Sequence, residues 1–494
     1  MADRKKHNRI YIIGAGFAGT TIASELRAKG IFGEVVAFLD DDDVKIGTHI
    51  GDIPVLGPIK EVVSLLRQMP ADEALIAMPS APREKLRELY QLLQKAEFAK
   101  IRILPGISQI MEGAAHLIQA REIDPQDLLA RSPVTINLTK SLSYLRGKRV
   151  LITGAGGSIG SELSRQLLSG GASRLYLFGH GENSIYEIDR ELRILQEEGV
   201  GEKATIVPVI GDLKDEDYMR FILPRLKTNV IFHCAAYKHV PMSEANPVEA
   251  IRNNVFGTRN LVEAAAEAGT QRFVFISTDK AVGPSSVYGA SKKIAEEIVL
   301  SMRARRGLDF IVVRFGNVLG SRGSIVPLFQ KQILKGGPLT ITHPDVSRFF
   351  MTIPEAASLV LQAGGVGEGG NLYVLDMGDP LSIKDLAEQM IRFYGFEPEK
   401  DIPIVCVGLR PGEKLTEDLW DRAEKMEPTR YRKINRIIRE GSVFPDVDEL
   451  LEKLKPVCFR ENARAGLYRN RKVLREILSS ALPNLEASGH ESEY

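Results

Sequence analysis

Apolar residues recur along the chain in two rhythms: short β-branched runs that stop at glycines, and longer stretches with apolar positions three and four residues apart. RIYIIGAGFAGTTIASELRAKG (9–30) contains both in succession, and so does KRVLITGAGGSIGSELSRQLLSGG (148–171). Each predicts a strand, a tight turn and a helix. Glycines at such a turn let a pyrophosphate approach backbone N–H groups at a helix N-terminus. Two openings of this kind, well over a hundred residues apart, predict an α/β chain with two Rossmann-like, doubly wound parallel-sheet domains.

The first predicted domain covers 1–121, with further strands in EVVAFLDDDD (34–43) and DEALIAMPS (72–80). Residues 122–145 carry two prolines and no clean period, and read as a linker. The second domain covers 146–426. Its predicted strands are RVLITGA, SRLYLFG, KATIVPVIGD, NVIFHCAAY, RFVFIST and DFIVVRFGNV, and the helical stretches between them predict right-handed crossovers. Beyond Pro327 the alternation loosens, which predicts a small C-terminal substrate-binding lobe. The charged tail, 427–494, reads as helical and carries no motif.

Composition narrows the class. A chain of 494 residues is too long for one ordinary core. Its 65 basic and 64 acidic residues leave a net charge of +1, which gives no support to a nucleic-acid partner. Cys234, Cys406 and Cys458 are odd in number and widely spaced, so neither a disulfide framework nor a metal site is expected, and a reducing cytoplasm fits. No apolar run approaches the roughly 18 residues of a membrane helix, so no membrane span is expected. The opening MADRKKHNRIYIIGAGFAG imitates a signal peptide, but its apolar part is short and runs into the glycine turn.

In the first domain Gly14, Gly16 and Gly19 form a GxGxxG, and Asp40 ends the second strand where an acid can hold a ribose hydroxyl. Nucleotide binding there stands beside a structural or regulatory role, since no acid, base or nucleophile cluster accompanies it. In the second domain Gly154, Gly157 and Gly160 recur at TGxxGxxG spacing, and Tyr288 and Lys292 stand four apart, on one helix face. A phenol near pKa 10 needs a cation beside it to act as a base at neutral pH. The second strand ends at Gly179 without a following Arg, and Glu182 is in reach of a ribose; this favours NAD, with NADP possible.

These motifs together resemble the extended short-chain dehydrogenase/reductases. The resemblance implies that Gly154, Gly157, Ser158, Ile159, Gly160, Glu182, Asp212, Leu213, Ala235, Ala236, Lys238 and Asn254 line the cofactor, with Asp212 near the adenine. It also implies that Lys292 binds the nicotinamide ribose and lowers the pKa of Tyr288. STDKA adds Thr278, Asp279 and Lys280 at a strand end. Once a hexose C4 is a ketone, the C5 proton is acidic; a base can remove it while an acid protonates the leaving 6-hydroxyl. Asp279 as acid and Lys280 as base meet that need, which a plain dehydrogenase does not have.

AAYKHVPMSEANPVEAIRNNVFGT, STDKA, RFGNVLGSRGSIVPLF, HPDVSRFFMTIPEAA and GLRPGEKL, spread over about 147–420, resemble the bacterial UDP-N-acetylglucosamine 4,6-dehydratases of glycan biosynthesis. Membership implies UDP-GlcNAc as substrate, with Lys238, Asn317, Arg322, Ser324, Arg348, Arg410 and Glu413 as sugar-nucleotide contacts. The N-terminal domain is similar to the one preceding the dehydratase in larger, membrane-anchored members. Many of those carry Met where this chain has Tyr288. The resemblance also implies a homo-oligomer, a dimer or higher. A UDP-hexose 4-epimerase and a non-catalytic nucleotide sensor are the alternative readings.

Overall fold

The structure, a computed structural model, describes residues 8–29, 33–78, 81–104, 121–122, 142–201, 203–308, 310–366, 370–394 and 396–485. The chain forms two compact units, Met1–Ile136 and Asn137–Tyr494. Most of the linker expected at 122–145 lies outside the described residues.

In the first unit Arg9–Ile13 is the central strand. It pairs in parallel with Glu34–Leu39 on one side and Glu73–Ile76 on the other. The sheet continues through Ile53–Leu56 to an antiparallel edge at His49–Ile50, and through Lys100–Ile103 to Arg121–Glu122. Ile10, Ile12, Phe38 and Leu75 are buried against Ile22 and Leu26 of the helix Phe17–Lys29. Apolar runs without alternation suit such strands because helices cover both faces of a parallel sheet.

In the second unit the strands run, edge to edge, Thr205–Ile210, Arg174–Gly179, Arg149–Thr153, Val230–His233, Arg272–Ile276, Ile311–Arg314, Leu372–Leu375, Ile434–Ile438 and Lys425–Pro428. The first seven are parallel and the last two add an antiparallel hairpin. The chain order reverses beside Arg149–Thr153, which opens a crevice at the carboxyl ends of the strands. Short pairs lie beyond the main sheet: 317–318 with 350–351, 339–341 with 404–406, and 347–348 with 381–382.

The tail is not purely helical. Ile434–Ile438 pairs with Leu372–Leu375 and extends the main sheet before the helices Val447–Cys458 and Arg471–Ala481. INRII is five residues among charges, too short for its alternation to stand out, and only the partner strand makes it β. Among the described residues no helix is long and apolar enough to cross a membrane, and no group of His, Cys, Asp and Glu could hold a metal.

Candidate active site

The strand Arg272–Ile276 leaves the sheet at its carboxyl edge and turns through Asp279–Ala281, capped by Thr278. The Thr278 hydroxyl donates to Asp279 Oδ1 at 2.8 Å. Lys280 Nζ donates to the same oxygen at 3.0 Å and to Asn317 Oδ1 at 3.2 Å. The sequence pair thus becomes a connected cluster of Thr278, Asp279, Lys280 and Asn317. Asp279 is fully buried, and among the described residues its Oδ2 has no hydrogen-bond partner.

Tyr288 and Lys292 follow on the helix Val287–Arg306, whose N-cap Ser286 accepts from the Gly289 N–H. The helix runs so close to the turn that a Cβ on Gly289 would overlap the Lys280 carbonyl oxygen. Burial pushes Tyr288 up to about 12; the Lys280 ammonium and a side-chain hydrogen bond shared with Thr278 pull the other way. The cation opposing burial at Tyr288 is therefore Lys280, whereas the sequence reading assigned that task to Lys292. Lys292 instead donates to the Ile276 carbonyl at 2.6 Å, with its ammonium 3.8 Å from the centre of the Phe275 ring. Burial brings Lys292 down to about 7, although Glu296 and Cys234 pull it upward.

For Lys280, burial alone would lower the pKa, but the Asp279 and Glu417 carboxylates outweigh it and leave it above the ordinary value. The cluster at rest therefore holds Lys280 as an ammonium, whereas a base must be an amine. Glu417 went unnoticed in the sequence. It is buried, with Oε1 3.5 Å from Lys280 Nζ. The one available signal is its place four residues beyond Glu413 of RPGEK. Sequence reasoning also missed Glu296, one turn beyond Lys292. It accepts from Ser277 Oγ at 2.7 Å and from both forks of the buried Arg314, also at 2.7 Å.

At the glycine turn Gly154 adopts φ +65°, and a Cβ there would meet Ala235 Cα at 2.9 Å. The turn fits closely against the loop after Val230–His233, as the expected grouping of Gly154 with Ala235 and Ala236 requires. Gly157 caps the helix Ser158–Ser169, leaving its N-terminus toward the crevice for a pyrophosphate. Glu182 opens the helix Glu182–Glu197 and is exposed. Asp212 Oδ1 accepts from the Lys214 N–H, and Leu213 is buried below Gly257. These residues fit a dinucleotide.

Asn254 is drawn inward. It lies in a π-helical turn, Arg252–Phe256, accepts from Tyr237 N, and donates to Tyr237 O and Ser291 Oγ. It ties the loop of Ala235 and Lys238 to the helix of Tyr288. Lys238 Nζ reaches Ser321 Oγ at 3.4 Å. Among the expected sugar-nucleotide contacts, Arg348 spends its fork on the carbonyls of Ser347, Lys414 and Leu415 and lies 3.4 Å from Glu413. It braces the RPGEK segment. Arg410 is exposed, and its N–H donates to Glu413 Oε2. Arg322 is exposed and pairs with Glu187 at 3.2 Å, while its N–H donates to Ser158 Oγ. Ser324 caps the helix Ile325–Leu334 with a buried Oγ that has no hydrogen-bond partner.

In the first unit Asp40 Oδ2 accepts from the Ala15 N–H at 2.7 Å and Oδ1 from the Asp42 N–H at 3.0 Å. The carboxylate expected at a ribose is thus held on the glycine turn itself.

Residues 150–439 match the family described as polysaccharide biosynthesis protein, and residues 2–105 match that described as CoA-binding domain. The chain is 42% identical to the probable polysaccharide biosynthesis protein EpsC of Bacillus subtilis, over 85% of this chain and 70% of that one. It is 33% identical to a UDP-glucose 4-epimerase of Rickettsia rickettsii, over 64% and 90%. It is 32% identical to an inverting UDP-N-acetylglucosamine 4,6-dehydratase of Campylobacter jejuni, over 55% and 77%.

Proposed function

Since the chain belongs to the polysaccharide biosynthesis protein family, we propose that it is a nucleotide-sugar 4,6-dehydratase that converts UDP-GlcNAc to a UDP-2-acetamido-4-keto-2,6-dideoxyhexose. The observation that carries this reading is the meeting of two sets at one strand edge. Tyr288 with Lys292 suits the redox step, and Lys280 between carboxyls and Asn317 suits an elimination.

NAD, held at the Gly154–Gly160 turn, would accept the C4 hydride and return it to C6. Tyr288 takes the C4 hydroxyl proton, with the Lys280 charge close enough to favour its phenolate. Lys280 as an amine removes the C5 proton, and the departing 6-hydroxyl takes a proton on the side of Asp279, the residue assigned above as the acid, which Lys280 can reprotonate through Oδ1. A 4-epimerase has no use for the second set, and a sensor has no use for either. Relatives of both enzyme types cover the same domain, so the Asp279–Lys280–Asn317 cluster is what favours dehydration.

The test is purified protein with UDP-GlcNAc and no added cofactor, followed by mass spectrometry and proton NMR in D2O. A product lighter by one water with deuterium at C5 is expected. A product of unchanged mass with altered C4 configuration would make the protein an epimerase. Binding without turnover, even with NAD or NADP added, would make it a sensor.

A further inference from the structure

The resting cluster has its proton in the wrong place for the proposed elimination. Lys280 is an ammonium between two carboxylates, and a base at C5 must first lose that proton. Two acceptors are in reach, Asp279 Oδ1 at 3.0 Å and Glu417 Oε1 at 3.5 Å. They differ in how well their anions are held. Asp279 Oδ1 accepts from the Thr278 hydroxyl as well as from Lys280. The second Asp279 oxygen is unpaired beside Gly316. Glu417 receives less: its Oε2 is buried without a hydrogen bond, with the Lys414 ammonium 4.0 Å away.

We propose that Glu417 is the proton-holding partner of Lys280: it takes one proton from the ammonium, frees the amine to act on C5, and returns the proton once water has left. The proposal rests on the dehydratase reading and places a third group beside the two seen in the sequence. Glu417 acts through Lys280, so it is a positioning and proton-holding residue. The steps balance. An N–H bond of Lys280 breaks as an O–H bond forms on Glu417. The C5–H bond then breaks, its proton forming an N–H bond on Lys280 while the electron pair becomes the C5–C6 double bond. The C6–O bond breaks with its pair on oxygen, which takes a proton from Lys280, directly or through Asp279 Oδ1. Glu417 restores the ammonium. The protein ends as it began, and the sugar has lost one water.

The charged and titratable groups facing Glu417 are Lys280 and Asp279 from the strand-end turn, Arg348 from the 347–348 strand, Tyr288 from the helix Val287–Arg306, and Lys414 on its own segment. Burial and the Asp279 charge push the Glu417 carboxyl above the usual carboxylate range, against Lys280, Arg348 and Lys414, which supports a proton residing there.

The experiment is the pH dependence of kcat, from about pH 6.5 to 9, for the full chain and for Glu417→Gln, with NADH formation followed in the same samples. With internal transfer, wild-type kcat is flat around neutrality. In Glu417→Gln the lysine must lose its proton to solvent. Turnover is then expected to fall by about 10²-fold near neutrality and to climb about tenfold per pH unit, while C4 oxidation persists. Glu417→Asp keeps a carboxyl and is expected to keep the flat profile at lower kcat. A flat profile in Glu417→Gln, or a steep one in Glu417→Asp, would overturn the proposal alone. A wild type that oxidises the sugar without losing water would overturn the dehydratase reading, and this proposal with it.

Discussion

At the scale of single residues, the two sets at the strand edge separate by what their loss leaves behind. Burial pushes the Tyr288 phenol up to about 12 even with the Lys280 ammonium pulling it down, so its phenolate depends on the cation beside it. Lys280 is that cation in the resting site, and in the proposed mechanism it is also the base at C5. Lys280→Ala is therefore expected to abolish water loss while still allowing slow C4 oxidation, so that bound reduced nicotinamide accumulates and its absorbance can be followed. Tyr288→Phe removes the C4 proton acceptor and is expected to lower the hydride step by roughly 10²–10⁴, with no such accumulation. Full dehydration by the alanine variant, or near-wild-type turnover by the phenylalanine variant, would remove the residue from its role. The sequence disclosed Thr278, Asp279, Lys280, Tyr288 and Lys292 because they are close in the chain and keep a helical or turn spacing. Glu417 stayed hidden because its partner lies well over a hundred residues away and only the fold brings them together.

At the scale of elements, the helix Val287–Arg306 depends on parts of the chain that carry no motif. Its SKKIAEE stretch carries four charges, yet Lys293, Glu296 and Glu297 are buried along with Lys292. Arg314, Glu424 and Arg439 meet those charges, and Glu424 and Arg439 are the residues just before and just after the C-terminal hairpin. A periodicity argument cannot see a charge neutralised from another element. The N-terminus of the same helix is held by a second tail element. Arg475, on the helix Arg471–Ala481, pairs with Glu244 Oε2 at 2.7 Å, and Glu244 Oε1 accepts from the Val287 N–H, also at 2.7 Å. Leu474 and Leu478 of that helix are fully buried, so the contact is anchored by packing. An anionic oxygen on an open N–H at a helix start is a favourable cap, and a charged hydrogen bond contributes about 1.5–3 kcal/mol. Arg475→Ala should therefore loosen the first turn, which carries Tyr288. The expected result is kcat lowered several-fold with KM little changed, and most of the loss recovered in Arg475→Lys. Equal changes in kcat and KM, or none, would reduce the tail helix to packing.

At the scale of the whole molecule, the sequence was most legible where the period was strong and the strands long. The glycine turns and the strands read from 149 to 318 stand where the hydrophobic pattern put them, except that DFIVVRFGNV splits into Ile311–Arg314 in the main sheet and Asn317–Val318 beyond it. The antiparallel hairpin was not legible, because its strands are stable only as additions to an existing edge. The two units invite different expectations. Every residue assigned here to dehydration lies between Gly154 and Glu417, and the tail that braces them belongs to the same unit, Asn137–Tyr494. The first unit repeats the glycine turn, but Asp40 places its carboxylate on the Ala15 N–H, close to where a pyrophosphate would sit. A carboxylate there repels a phosphate that the helix N-terminus would otherwise attract. Asp40→Asn keeps the acceptor and removes the charge. If the turn is a latent phosphate site, the neutral variant should bind a pyrophosphate-containing nucleotide more tightly than the parent when titrated by calorimetry with the isolated second-unit chemistry silenced by Lys280→Ala. Equal heats in the two backgrounds would mean that the glycines serve helix–strand packing alone, with Gly19 set against the Gly14 carbonyl. Either way, if the proposed dehydratase reading holds, a chain of residues 137–494 is expected to dehydrate UDP-GlcNAc at a rate close to that of the full chain, since every residue assigned to the reaction lies in that unit. Loss of turnover on removing residues 1–136, with the fragment still folded by circular dichroism, would show instead that the first unit completes the enzyme.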